Sequence, residues 1–310
     1  MTSNDFYEQI ARNKRKSVLL VLGSFVFLGA FGYALGYVFY SPQEAIVWMA
    51  IGLAIAALQS FVALRYGDRM VLASTHARPV SPEENPRLHN VVEGISIAAG
   101  LPKPAVYVVP EQAPNAFATG RDPEHSSVAV TQGLLDMMNR VELEGVIAHE
   151  MSHIGDRDML LGTIVATLVG AVVLVAEFFL RWMWIGGGGR RRGGGGEGGG
   201  AFQLILFAVG ILLLVLAPLF AQIIKMAVSR QREYLADANG AMLTRYPPGL
   251  TSALRKIAGA PHAMRAANNA TAHLWLDQPS RFPGEKTGFM EKLFSTHPPI
   301  QERIRILEEM

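Results

Sequence analysis

A membrane protein, mainly α-helical with a small β-sheet, is the fold class this sequence predicts. Three observations predict it: long stretches without a charged residue, apolar stripes at helical spacing with recognisable caps, and a few short strand-like runs between turn formers. Of the 310 residues, 50% are hydrophobic and 17% charged, and the mean hydropathy is positive at +0.23. That balance is too apolar for an ordinary soluble domain of this length, and membrane segments account for the excess.

Residues 1–17 carry Arg12, Lys14, Arg15 and Lys16 and read as a cytoplasmic N-terminal segment. Residues 18–40 and 45–64 are each free of charge, and each is long enough as a helix to cross ~30 Å of hydrocarbon. They predict a transmembrane hairpin over 18–64 with residues 41–44 as its connector. The connector lacks Lys and Arg, so the basic cluster ahead of the first span puts the N-terminus in the cytoplasm. No small-residue cleavage site follows the first span, which predicts an anchor in place of a cleaved signal. Gly29, Gly32 and Gly36 lie near one face of that span and permit close helix contact. Packing against the second span is the default; a homo-oligomer is the alternative use of that face.

Residues 65–158 read as the first part of a domain outside the membrane. Leu88, Val91, Val92, Ile95, Ala98 and Ala99 follow helical spacing and stop at Gly100, a natural helix end. Residues 105–109 form a short strand between prolines, and residues 127–131 form another. Between them, Asn115-Ala116-Phe117-Ala118-Thr119-Gly120 alternates small and apolar residues, a third strand-like run. Asn139 then caps a helix whose Glu142 reaches back to the cap amide, with Leu143, Val146, Ile147 and Ile154 as its apolar stripe. On that helix sits His149-Glu150-Met151-Ser152-His153.

Histidines four residues apart stack on one helical face, where neutral imidazole nitrogens suit zinc. Glu150, just off the metal, can take the proton of a water attacking a peptide carbonyl. The pattern is that of a zinc-dependent peptidase with one Zn2+ per chain. A catalytic zinc needs a third protein ligand and an open position. The best candidate is Glu233, in Arg232-Glu233-Tyr234-Leu235-Ala236-Asp237. Glu233 and Asp237 again share a face, so Glu233 can bind metal while Asp237 accepts the other ring N–H of a ligand, His149 first. Without the first motif the same pair would read as a solvated helix face. In a peptidase, an exposed edge strand can pair with an extended substrate, and Asn115, Ala116, Phe117 and Ala118 are the candidate substrate-binding residues, against the alternative of an interior strand.

Residues 159–225 predict a second hydrophobic hairpin, 159–180 and 201–224, flanking a connector rich in Gly and Arg. Because His153 and Glu233 must meet at one metal, the chain between them crosses the bilayer twice or not at all. Glu177 reads as a snorkelling partner of Arg181 in preference to an intramembrane functional acid. Residues 226–310 complete the domain, with helices over 248–258 and from Ile300, and an irregular stretch at 263–292. His297, at the rigid Pro298-Pro299 helix start, is a candidate donor to the transition-state oxyanion, beside the alternative of a structural cap. Arg303 reads either as a second such donor or as one half of a surface ion pair.

The chain has no cysteine, which excludes disulfides and thiolate ligands. Its net charge of +2 leaves no nucleic-acid footprint. Taken together, the paired N-terminal spans, the segment from Asn115 to Gly120, the motif from His149 to His153, the second hydrophobic pair, the Glu233 to Asp237 segment and Thr296-His297-Pro298-Pro299 resemble the HtpX family of membrane zinc endopeptidases over nearly the whole chain. The resemblance implies a gluzincin-like metallopeptidase domain attached to transmembrane helices. It implies zinc on His149, His153 and Glu233, and Glu150 as base. It also implies a bacterial inner-membrane location with the catalytic domain facing the cytoplasm, and a role in stress-related quality control of membrane proteins. The long Gly/Arg connector departs from the usual pattern. A prenyl-protein peptidase, a non-catalytic membrane adaptor or chaperone, and a small transporter are the rival readings.

Overall fold

The computed structural model describes residues 3–168, 230–260, 264, 271–277 and 298–310. Residues 169–224 of the expected second hairpin, its Gly/Arg connector, Glu177 and His297 lie outside the described residues.

Two long helices, α1 (Ser3–Phe39) and α2 (Pro42–Ser74), open the chain. Both contain windows long and apolar enough to span a bilayer, Ile10–Ala34 in the first and the whole of Pro42–Ser74 in the second. The turn between them is tighter than the four-residue connector expected from sequence. Ser41 caps α2 by accepting from the Glu44 N–H at 3.2 Å, and Pro42 takes the first helical position, where its missing N–H costs nothing. Gly32 faces the Trp48 carbonyl, where a Cβ would sit 2.2 Å away, and Gly52 faces the Leu28 carbonyl at 2.1 Å. The pairing of 32 with 48 and 28 with 52 makes the helices antiparallel. The small-residue face of α1 is thus filled by α2, as the default reading expects.

Helix α2 does not stop at the membrane segment. Its last turns bring Val71 and Leu72 into a cluster with Val109, Phe117, Ala129 and Trp275, so one continuous helix joins the hairpin to the domain beyond. There, β1 (Arg78–Pro79), β2 (Ala105–Val109), β3 (Ala116–Gly120) and β4 (Ser126–Thr131) form a mixed sheet of order β1-β2-β4-β3. β2 and β4 are parallel, while β1 on β2 and β3 on β4 are antiparallel. β3 is therefore the outer strand of the described sheet, yet all five of its residues are buried, so it is not the exposed edge the sequence suggested. Its period-2 alternation sends Ala116 and Ala118 to one core and Phe117 to the other.

Helix α3 (Pro86–Ala99) is capped by Asn85 and ends at Gly100, whose φ of 64° is the left-handed stop that glycine permits. After α4 (Gln132–Met137) comes α5 (Arg140–Gly155), with the expected reciprocal capping box: Asn139 accepts from the Glu142 N–H at 2.9 Å and Glu142 from the Asn139 N–H at 2.8 Å. Leu143, Val146, Ile147 and Ile154 are buried against α3, the sheet and α8 (Pro247–Ala258). α6 (Asp158–Leu168) follows and is mostly buried within the protein, so the run expected from residue 159 begins inside the domain. Its Thr163 hydroxyl lies 2.9 Å from that of Thr119. α7 (Arg230–Thr244) packs on α5, with Gly240 against the main chain of His149. α9 (Ile300–Glu308) closes the fold with Ile304 and Leu307 inward. Residues 271–277, expected to be irregular, carry the fully buried Trp275, set edge-on against Phe117 at 4.6 Å.

Candidate metal centre

His149 and His153 sit one turn apart on α5, and the pitch of the helix brings their Nε2 atoms to 3.2 Å. α7 crosses over them because Gly240 lets it approach, and this presents Glu233: Oε2 lies 3.8 Å from His149 Nε2 and Oε1 lies 3.7 Å from His153 Nε2. The three ligand atoms fall within 4.8 Å of one another. Ligands bound tetrahedrally at ~2.0–2.1 Å stand about 3.3 Å apart, so the spacing and the N, N, O donor set fit one small divalent cation.

Each histidine turns its other ring nitrogen toward a carboxylate. Asp237 Oδ1 is 2.9 Å from His149 Nδ1, and Asp158 Oδ2 is 3.4 Å from His153 Nδ1. Asp237 is gripped by Arg303, whose Nε and Nη2 donate to it at 2.8 and 2.7 Å, while Nη1 donates to the Leu276 carbonyl at 2.7 Å. Arg303 is 1% exposed, so the surface ion-pair reading is wrong; it is a buried clamp. Burial alone would raise Asp237, but the guanidinium holds its pKa down to about 2. Burial lowers the pKa of His149 despite Asp237. His153 goes the other way: burial opposes its charge, but Asp158 and Glu233 hold its pKa up at about 9 in the metal-free protein.

Glu150 is 1% exposed. The Ala118 N–H of the edge strand donates to its carboxylate, and Oε1 has no partner among the described residues. Burial pushes its pKa up to about 7, the range in which a carboxylate serves as a general base near neutral pH. It lines a cavity together with His149, His153, Glu233, Ala118 and Trp275.

Of the sequence-predicted residues, His149, Glu150, His153, Glu233 and Asp237 converge here. Among the candidate substrate residues, Ala118 reaches the cavity. Asn115 instead latches residue 277, its Nδ2 donating to the Asp277 carbonyl at 2.8 Å and its Oδ1 accepting from the Asp277 N–H at 3.1 Å. The Ala116 carbonyl accepts from the Leu276 N–H at 2.8 Å, and Phe117 is fully buried under Trp275. Sequence reasoning missed Asp158, Arg232, which pairs with it, and His273, which lines the cavity and lies 3.0 Å from the Gly162 carbonyl. Asp158 is placed by the turn after α5. It lies just past the Gly155 helix end, where Arg157 turns through φ 56° and sends the next residue back toward His153.

A membrane-attached metallopeptidase is the class that this fold and site define. Residues 82–310 match peptidase family M48. Over the full chain it is 46% identical to the protease HtpX homologue of Thermoanaerobacter pseudethanolicus, of which it covers 99%. A second HtpX homologue, from Lactobacillus acidophilus, is 42% identical over 98% of this chain and 99% of its own. The crystal structure of S. mikatae Ste24p shares the fold at a TM-score of 0.50 and 16% identity, over 97% of this chain and 67% of that one. The chain belongs to peptidase family M48, among its HtpX proteases.

Proposed function

We propose that the protein is a zinc endopeptidase that cuts membrane proteins, misfolded or damaged ones under stress in particular, from the cytoplasmic face of a bacterial inner membrane. His149, His153 and Glu233 would hold one zinc ion, which when bound supplies Lewis acidity to the scissile carbonyl and acidifies the attacking water. The observation that carries this is the convergence of three ligand atoms beside a buried carboxylate with a free oxygen.

Glu150 takes the proton from the attacking water and returns it to the leaving amine. The Ala118 N–H fixes the carboxylate's orientation, so Oε1 is left for that proton. Asp237, pinned by Arg303, keeps the proton of His149 on Nδ1 and so leaves Nε2 for metal. Substrate would meet the sheet at Ala118, which lines the cavity; at Asn115 and Ala116 the strand is already paired with residues 276 and 277. His297 remains a candidate oxyanion donor. The cytoplasmic placement rests on the basic cluster Arg12 to Lys16 ahead of the first span.

The test is to incubate purified protein with a membrane-protein substrate, with and without zinc, and to map cut sites by mass spectrometry. Zinc-dependent internal cuts are expected. Glu150→Gln should retain zinc and lose ~10²–10⁴-fold in cleavage rate; undiminished cleavage would sink the assignment. Selective cutting of a lipidated C-terminal peptide would favour the prenyl-protein reading instead.

A further inference from the structure

We propose that Asp158 is the positioning residue for His153, and that Asn13 of the membrane-spanning helix α1 holds it in place, so that the N-terminal hairpin completes the metal centre. This rests on the zinc reading above and adds a part to it.

The geometry is a three-way clamp on one buried carboxylate. Asp158 is 7% exposed. Its Oδ2 faces His153 Nδ1 at 3.4 Å, and its Oδ1 accepts from Arg232 Nη1 at 2.8 Å and also from Asn13 Nδ2. Asn13 Nδ2 is 3.1 Å from the Asp156 carbonyl as well, which ties α1 to the turn that carries Asp158. Asn13 is itself 1% exposed. A buried carboxylate is tolerated only where its charge is paired and its lone pairs are taken. Here the partners come from three separate segments, and one of them, Arg232, is the neighbour of Glu233 on α7. The clamp therefore fixes the second histidine and the helix of the third ligand together. A histidine that donates from Nδ1 to a fixed carboxylate presents Nε2 to a metal in a set tautomer and orientation. Asn13 contributes what a free carboxylate lacks, a second donor that stops Asp158 from rotating away from the ring. Because α1 packs along α2, loosening the hairpin would loosen this donor.

The experiment measures zinc affinity by chelator competition on full-length protein in detergent, alongside thermal unfolding with and without zinc. Asp158→Asn should weaken zinc ~10–100-fold, the usual cost of losing such a partner. Asn13→Ala should weaken it several-fold, less than Asp158→Asn. In both, the rise in melting temperature on adding zinc should shrink. A residue that merely supports the fold would lower melting equally with and without zinc and leave the affinity alone, and that result overturns the proposal. If Asp158→Asn yields no folded protein, Asn13→Ala, which removes one neutral donor, decides the matter by the same two readouts. Wild-type protein that binds no zinc would bring down the zinc reading itself. Wild type with one tight zinc and variants equally tight would bring down only the clamp.

Discussion

His149 leans on Asp237 at 2.9 Å, and Asp237 is held twice by Arg303 from the last helix, all within the domain beyond the membrane hairpin. His153 leans on Asp158 at 3.4 Å, whose other partners reach it from α7 and from α1 of the hairpin. The first frame is closer and almost fully buried. The second is looser, with a His153 side chain 17% exposed, and is assembled from segments far apart in the chain. The difference is also electrical. Burial holds His149 neutral, ready to bind, whereas the carboxylates around His153 keep it protonated without metal. A metal entering the site therefore displaces its proton from His153.

Loss of Arg303 should cost most. Arg303→Met strands the Asp237 charge in the core, and removing one partner of a buried pair costs ~3–5 kcal/mol; denaturant unfolding should show a loss of that size, and a change under 1 kcal/mol, roughly the worth of an exposed pair, would contradict the clamp. Arg232→Met should cost less, about 1.5–3 kcal/mol, because Asp158 keeps Asn13; equal losses in the two variants would erase the distinction between the frames.

Glu233→Ala sharpens the comparison from the metal's side. Zinc content should fall well below one per chain while the metal-free fold persists, and metal analysis showing full occupancy would refute the ligand role.

The two frames also differ in their response to pH. His153 (pKa about 9 folded, ordinarily near 6.5) and Glu150 (about 7, ordinarily near 4.5) both hold protons more tightly when folded. Their contribution to metal-free stability is complete below the unfolded values and is lost as pH rises through 7 and then 9. Zinc affinity should move oppositely, rising up to tenfold per pH unit toward 9 as the His153 proton becomes easier to displace. Melting curves of metal-free protein that stay flat from pH 6 to 9 would show that neither His153 nor Glu150 is shifted as described.

Much of this was legible in the chain. The boundaries of β2, the stop of α3, the capping box of α5 and the ligand pair on it rest on interactions between residues a few positions apart. Such local rules act before the chain folds. Glu233 and Asp237 were legible for the same reason, sharing one helical face. Asp158 was not, because its role depends on a left-handed turn at Arg157 and on donors 145 and 74 residues away. Arg303 read as an oxyanion donor or half of a surface ion pair, since burial is a property of what packs over it. Residues 271–277 lacked periodicity, yet Trp275 fills the space over Phe117.

The two apolar N-terminal helices, the helix that carries both histidines and the candidate ligands can be read from the chain alone, because apolar length, caps and i,i+4 spacing are all short-range. The outer place of β3, the burial of Arg303 and the contact of Asn13 with Asp158 appear only in the folded chain. Those are contacts between distant segments, fixed by how surfaces bury against one another and not by the order of residues along any one of them.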